Sequence, residues 1–207
     1  MNEGIRVRPA RPSDLEAAAA ILAEGFRDKF AAAFSSQVDK AERIIARTLA
    51  LERTRGGPGL YVAESEGQVV GTIGLRRRED PEVPFWPAAS VLFEELGVWA
   101  GLRAMLYLSL LDQPTGRREL YVADVAVAAS FRRRGVGQAL MQHAEGLARS
   151  WGRSALVLDG RAKNEAARNL YGRLGYKVQR VRRSLVTGWL LGTGEWLRMR
   201  KEVTILP

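Results

Sequence analysis

Cysteine is absent from the 207 residues, which excludes disulfides, thiolate-bound metals and a cysteine nucleophile. Histidine occurs once, at His143, so neither a multi-histidine metal site nor a Ser-His-Asp triad elsewhere is expected, and no metal is called for. The start, Met1 to Arg8, lacks the apolar run of a signal peptide, and a cytoplasmic protein is the expectation. A long uncharged apolar run is missing as well. Val91–Leu111 is strongly apolar, but Glu94, Glu95 and Arg103 interrupt it, and the remaining Ala104–Leu111 is too short to cross a bilayer. One or two helices packed on the domain, over a substrate cleft or against a second subunit, is the expectation there. Acidic residues are scarce over 117–183, which holds 15 Lys and Arg against 5 Asp and Glu, while the rest of the chain is nearly balanced. The whole net charge of +9 therefore sits on that segment, as a polyphosphate ligand, a nucleic acid or an acidic surface would favour. Solvated arginine surface explains the same count, since 27 of the 32 basic residues are Arg.

The apolar fraction of 46% with 27% charged residues is that of a globular domain, and the length suits one domain over residues 1–207. Ile5–Arg8 alternates like a strand. Ser13-x-x-Glu16 has the spacing of a capping box before an alanine-rich helix. A second helix is predicted over Val38–Glu52, stopping before Arg55-Gly56-Gly57-Pro58-Gly59. Leu60–Glu64 and Val69–Arg78 read as a hairpin. Then follow a strand over Glu119–Val127, a helix over Gly137–Ser150, a strand over Ala155–Asp159 and a helix over Glu165–Leu174. Strands over Tyr176–Arg183 and Glu195–Val203 close the chain. Strands mixed with helices indicate an α/β (α+β) domain about one sheet, interrupted by an insertion at about 80–116.

Two segments carry chemistry. In Val125–Leu140 a β-branched strand runs into Arg132-Arg133-Arg134-Gly135-Val136-Gly137-Gln138, and an apolar helix follows at once. Glycine lets a ligand approach the backbone, and amides at a helix N-terminus favour an anion. A phosphate cradle and an ordinary strand-to-helix turn both fit this loop alone. Downstream, Asn164 caps a helix that exits at Gly175. Tyr171 lies nearly two turns after Asn164, close to the same face. Taken singly, Asn164 is a plain cap and Tyr171 a core tyrosine.

Together the segments resemble the GNAT N-acetyltransferase superfamily. Arg132-x-x-Gly135-x-Gly137 matches its acetyl-CoA pyrophosphate loop, and Asn164-x-x-Ala167-x-x-x-Tyr171-x-x-x-Gly175-Tyr176 matches the motif that follows. Ala129 stands where the family often has proline, and the 80–116 insertion is a second departure. The resemblance implies a splayed mixed sheet of about six to seven strands flanked by helices, with acetyl-CoA bound over about 119–176. Pantetheine would pair with the backbone of Val125, Ala126 and Val127. Arg133, Arg134, Gly135, Val136, Gly137 and Gln138 would surround the pyrophosphate, with Arg132 lending charge or supporting the loop. An amide near Val125 would polarise the thioester carbonyl, and Asn164 would bond pantetheine or an ordered water. Tyr171 would protonate the departing thiolate. Asp124, a carboxylate in an otherwise apolar strand, and Asp159, at the end of the next strand, are both candidates for the base, and water alone is a third. His143 is read as a core-edge residue.

The implied activity is an acetyl-CoA-dependent transfer to a primary amine, on a small molecule, a protein N-terminus or a lysine. A non-catalytic acyl-CoA sensor with the same fold is the alternative. Nucleic-acid binding is disfavoured because no exposed aromatics interleave with the basic runs. The insertion and Gln179–Leu197 are expected to form the acceptor pocket. Trp189, Leu190, Leu191 and Trp196 read either as core or as a homodimer face.

Overall fold

The period-two segments become seven strands: β1 Arg6–Pro9, β2 Gly59–Ser65, β3 Gln68–Arg76, β4 Glu119–Val127, β5 Ala155–Arg161, β6 Lys177–Arg183 and β7 Glu195–Glu202. They form one mixed sheet in the order β1-β2-β3-β4-β5-β7-β6, in which only the β4–β5 pair is parallel. The computed structural model describes residues 4–54, 59–81, 85–109, 114–183 and 195–204. Trp189, Leu190 and Leu191 lie outside them. Among the described residues seven helices flank the sheet: α1 Leu15–Gly25, α2 Arg27–Phe34, α3 Ala41–Thr54, α4 Phe85–Leu96, α5 Val98–Ser109, α6 Val136–Ser150 and α7 Glu165–Arg173.

Two cores result, one on each face. On one face Leu140, Met141 and Ala144 of α6 pack onto Ile73, Leu120 and Leu156 of the sheet. Each fully buried leucine there contributes roughly 1.5–3 kcal/mol. On the other face α1 to α5 assemble a cluster around Phe30, Phe34, Ile44 and Leu92, which reaches the sheet at Ala126. The 80–116 insertion is the α4–α5 pair, packed on α2 and α3.

Three sequence expectations change. The cap before α1 is not the Ser13–Glu16 box, because Ser13 lies inside a 3-10 turn over Pro12–Asp14. The buried Asp14 carboxylate instead accepts from the Arg11 amide at 2.6 Å and from the Arg8 guanidinium at 2.6 Å. An ionised acceptor makes stronger bonds than a hydroxyl does, and the Arg8 contact holds the Asp14 carboxyl below its usual range. The second change is α2, which the sequence reading does not contain. It forms because Phe30 and Phe34, one turn apart, both bury and stack at 5.4 Å between centroids. Third, α3 begins at Ala41 rather than Val38, since Ser35–Lys40 is wound as a 3-10 turn entered at Ser35 with φ 56°.

Candidate active site

The site is made by a split and a bulge in the same strand. β4 pairs with β5 from Glu119↔Ala155 to Val122↔Leu158 and no further, while β5 continues on β7 to Arg161. Beyond Val122, β4 keeps only its β3 neighbour among the described residues, and the edge of Ala123–Val127 facing β5 has no described strand beside it. At the same point the β3–β4 register slips, Leu75 pairing with Val122 and Gly74 with Asp124, so Ala123 is the extra residue of a β-bulge. The bulge reverses the alternation. Leu120 and Val122 face the α6 core and so do Val125 and Val127, whereas Ala126 faces the α1–α5 core. Asp124, on the same face as Ala126, is thereby turned out of the α6 core and toward the helices of the other face.

A cleft of about 460 Å³ opens where the strands part. Asp124, Val125, Asp159, Asn164 and Tyr171, all chosen from sequence, line it together. Tyr171 packs its ring on Tyr176 at 5.8 Å, and its hydroxyl has no partner among the described residues. Burial, with a smaller contribution from the Asp124 charge, pushes that phenol up to about 12. It is therefore a protonated donor throughout the neutral range. Asn164 is the cap of α7, its Oδ1 accepting from the Ala167 amide at 3.1 Å, and its side chain also borders the cleft.

The arginine–glycine loop lies beyond the cleft, past the end of β4. Gly135 caps α6 with φ 84°, a conformation that costs any other L-residue roughly 1–2 kcal/mol. Arg133 also has positive φ, at 62°. The first amides of α6, those of Val136, Gly137 and Gln138, have no acceptor within the helix and point out of its N-terminus. Gly71 of β3 lets this end sit close to the sheet, since a Cβ there would lie 2.9 Å from Val136 Cγ1. Arg132 supports the loop: its Nε donates to the Val127 carbonyl at 3.2 Å and its guanidinium reaches Glu24 at 3.5 Å. Arg134 stacks over Phe131 at 5.1 Å, and Arg133 and Gln138 are exposed.

The two acidic candidates differ. Asp124 is half-exposed and pairs with Lys29 of α2 at 3.4 Å. Asp159 is mostly buried, pairs with Arg198 of β7 at 3.2 Å and accepts from the Tyr121 hydroxyl at 3.2 Å. Burial raises the Asp159 carboxyl, with Arg198 opposing the shift. Tyr121 lies between two guanidiniums, Arg76 at 5.2 Å and Arg198 at 5.8 Å from its ring centroid. His143 packs on Tyr61 at 5.0 Å, and burial lowers it, consistent with a core-edge residue. Trp196 borders the cleft, beneath the Arg161 guanidinium at 5.9 Å.

A second cavity of about 260 Å³ lies on the α1–α5 side of β4 and shares Lys29, Tyr121, Ala123 and Asp124 with the first. Leu108 of the insertion and Glu52 of α3 line it. Sequence reading missed Lys29, Glu52, Tyr121 and Arg198. Of the signals, one was present: apolar residues two apart at Leu120 and Val122, then three apart at Val125, are the mark of a bulge.

Residues 23–176 match the model of the Acetyltransferase (GNAT) family. N-acetyltransferase 8 of Rattus norvegicus is 26% identical over 121 residues, which are 58% of this chain and 40% of that protein. The chain thus spans well under half the length of that curated relative. A Corynebacterium glutamicum structure described as histone acetyltransferase HPA2 and related acetyltransferase superposes with a TM-score of 0.66 at 26% identity, covering 99% of this chain and 98% of that one. PaiA N-acetyltransferase of Thermoplasma acidophilum, solved with coenzyme A, shares the fold with a TM-score of 0.59 at 14% identity, covering 96% and 98%. Among the described residues there is no cluster of potential metal ligands, and no helix is long and apolar enough to cross a membrane. The strand split, the glycine-capped helix and the family match agree: the chain belongs to the GNAT acetyltransferase family.

Proposed function

We propose that the chain is an acetyl-CoA-dependent N-acetyltransferase, moving an acetyl group to a primary amine by direct attack on the thioester. The observation that carries this reading is the free β4 edge, flanked by the α6 N-terminus at one end and the Tyr171 hydroxyl in the cleft. An extended pantetheine arm pairs with such an edge as an added strand. The amides of α6 and the loop arginines then hold the pyrophosphate, and Gly135 allows the turn that aims them. No side-chain nucleophile is needed, because positioning supplies much of the rate. An amide of the bulged segment near Val125 stabilises the thioester oxygen. Tyr171 donates to the departing sulfur. Asp124, held by Lys29, attracts the cationic amine, and Asp159 fixes Tyr121 between the two guanidiniums.

Acetyl-CoA is expected to raise the melting temperature, since it binds only the folded chain. A panel of small amines, peptides with free N-termini and lysine peptides, followed by mass detection, should then show an acetylated product. Stabilisation by acetyl-CoA without acetylation of any amine would instead identify an acyl-CoA sensor.

A further inference from the structure

Three carboxylates line the cleft and the cavity beside it, and they are not equivalent. Asp124 is paired with Lys29, and Asp159 with Arg198 and Tyr121. Glu52 lines the cavity on the α1–α5 side of β4 and accepts no hydrogen bond or ion pair among the described residues. Glu52 is only partly buried, so its unengaged carboxylate is open to a ligand that enters the cavity. A base needs a free lone pair, and in this cavity Lys29 already engages Asp124 while Glu52 is left to meet an incoming cation.

We propose that Glu52 is the general base for the acceptor, and that the acceptor is a primary alkylammonium whose stem lies against Leu22, Leu49, Leu60 and Leu108. This deepens the acetyltransferase reading above and rests on it. The cavity of about 260 Å³ holds about eight or nine waters by liquid volume, room for an aliphatic stem against its leucines. Asp124 and Tyr121 border both this cavity and the cleft, so an amine entering here faces the split in the sheet.

The proton count closes. Glu52 takes one proton from the ammonium and releases it to solvent at the end of the cycle, and the freed nitrogen lone pair attacks the acetyl carbon. The C–N bond forms, and the C–S bond then breaks with its electron pair leaving on sulfur. Tyr171 protonates that sulfur, and the nitrogen's surplus proton restores the phenol. The groups facing Glu52 set its basicity. Burial and the Asp124 charge on β4 push its carboxyl up to about 7, with Arg76 of β3 opposing. Lys29 of α2 and Tyr121 of β4 border the same cavity, and Arg53 follows on its own helix. A base with a pKa near 7 is matched to neutral conditions.

The test is a pH profile of kcat/KM for alkylamines with wild type, Glu52→Gln, Glu52→Asp and Asp124→Asn, alongside thermal melts with acetyl-CoA. Wild type should show a limb rising through about pH 7. Its kcat/KM should grow about fourfold per methylene until the cavity is full. Glu52→Gln should lose that limb and about a hundredfold in kcat, while acetyl-CoA stabilises it as it does wild type. Glu52→Asp should recover part of the rate and keep the limb. A Glu52→Gln enzyme with the limb intact and a rate within threefold of wild type would overturn the assignment. So would loss of the limb in Asp124→Asn alone. Wild type that acetylates no amine would overturn the acetyltransferase reading itself, a distinct result.

Discussion

The two sides of β4 are built differently. On the side of the split, the site is backbone: an unpaired strand edge, the amides of α6 and a left-handed Gly135. On the side of α1 to α5 it is side chains, with Lys29 from α2, Glu52 from α3, Arg76 from β3 and Leu108 from α5 meeting at Asp124. A backbone site needs a contiguous stretch of chain with fixed turn chemistry, whereas a pocket of side chains draws single residues from elements far apart in sequence. One half can therefore hold a common acyl donor while the other is free to vary with the amine.

Variants on the two sides should separate in kinetics. The largest effect is expected for Tyr171→Phe, which removes the hydroxyl proposed to protonate the sulfur and keeps the ring. The rate constant kcat should fall about a hundredfold or more, with the acetyl-CoA-dependent rise in melting temperature unchanged. Leu108→Trp overfills the acceptor cavity, at a cost of about 1–3 kcal/mol. Its KM for the amine should rise by roughly tenfold, and acetyl-CoA affinity, read by titration calorimetry, should stay as in wild type. Gly135→Ala forces alanine into φ 84°, costing roughly 1–2 kcal/mol. It should lower both the stability in urea and the acetyl-CoA affinity without altering preference among amines.

Two further effects are on the pH dependence of stability. The Glu52 carboxyl sits at about 7 in the fold against an ordinary value of 4.5, so the folded chain binds the extra proton between those limits. Its contribution to stability therefore falls as pH rises from about 4.5 to about 7. Glu52→Gln should accordingly melt above wild type at pH 8, with the gap closing toward pH 4, by differential scanning calorimetry. Asp159 is shifted in the same direction by burial, so Asp159→Asn should likewise flatten the acid side of the stability profile.

The geometry of residues 119–176 is legible in the sequence because it is local. Gly135 at a strand-to-helix turn and Asn164 ahead of Tyr171 state their conformations in the sequence, and the structure brings Asp124, Val125, Asp159, Asn164 and Tyr171 to one cleft. The acceptor side was not legible, for identifiable reasons. Plain alternation with Leu120 and Val122 would have put Asp124 into the α6 core, and the bulge at Ala123 moves it to the other face. Glu52 reads as an ordinary helical glutamate until α3 is laid against the sheet. Among the fold elements, α2 carries Phe30 and Phe34 one turn apart, and Phe26 stands one turn earlier at its N-cap, a helical spacing present in the sequence but absent from the reading of it. One or two helices were expected in the insertion, but the placement of Leu108 over the proposed acceptor cavity depends on how α5 packs on α2.

The central claim is that β4 separates an acyl-donor site from an amine site that meet at its bulge. Steady-state kinetics of product formation, with acetyl-CoA and amine varied independently for wild type, Tyr171→Phe and Leu108→Trp, test it most directly. The account predicts an acetylated amine from wild type, a loss confined to kcat in Tyr171→Phe, and a rise confined to the amine KM in Leu108→Trp. A Leu108→Trp enzyme with its amine KM unchanged and its acetyl-CoA KM raised would contradict it.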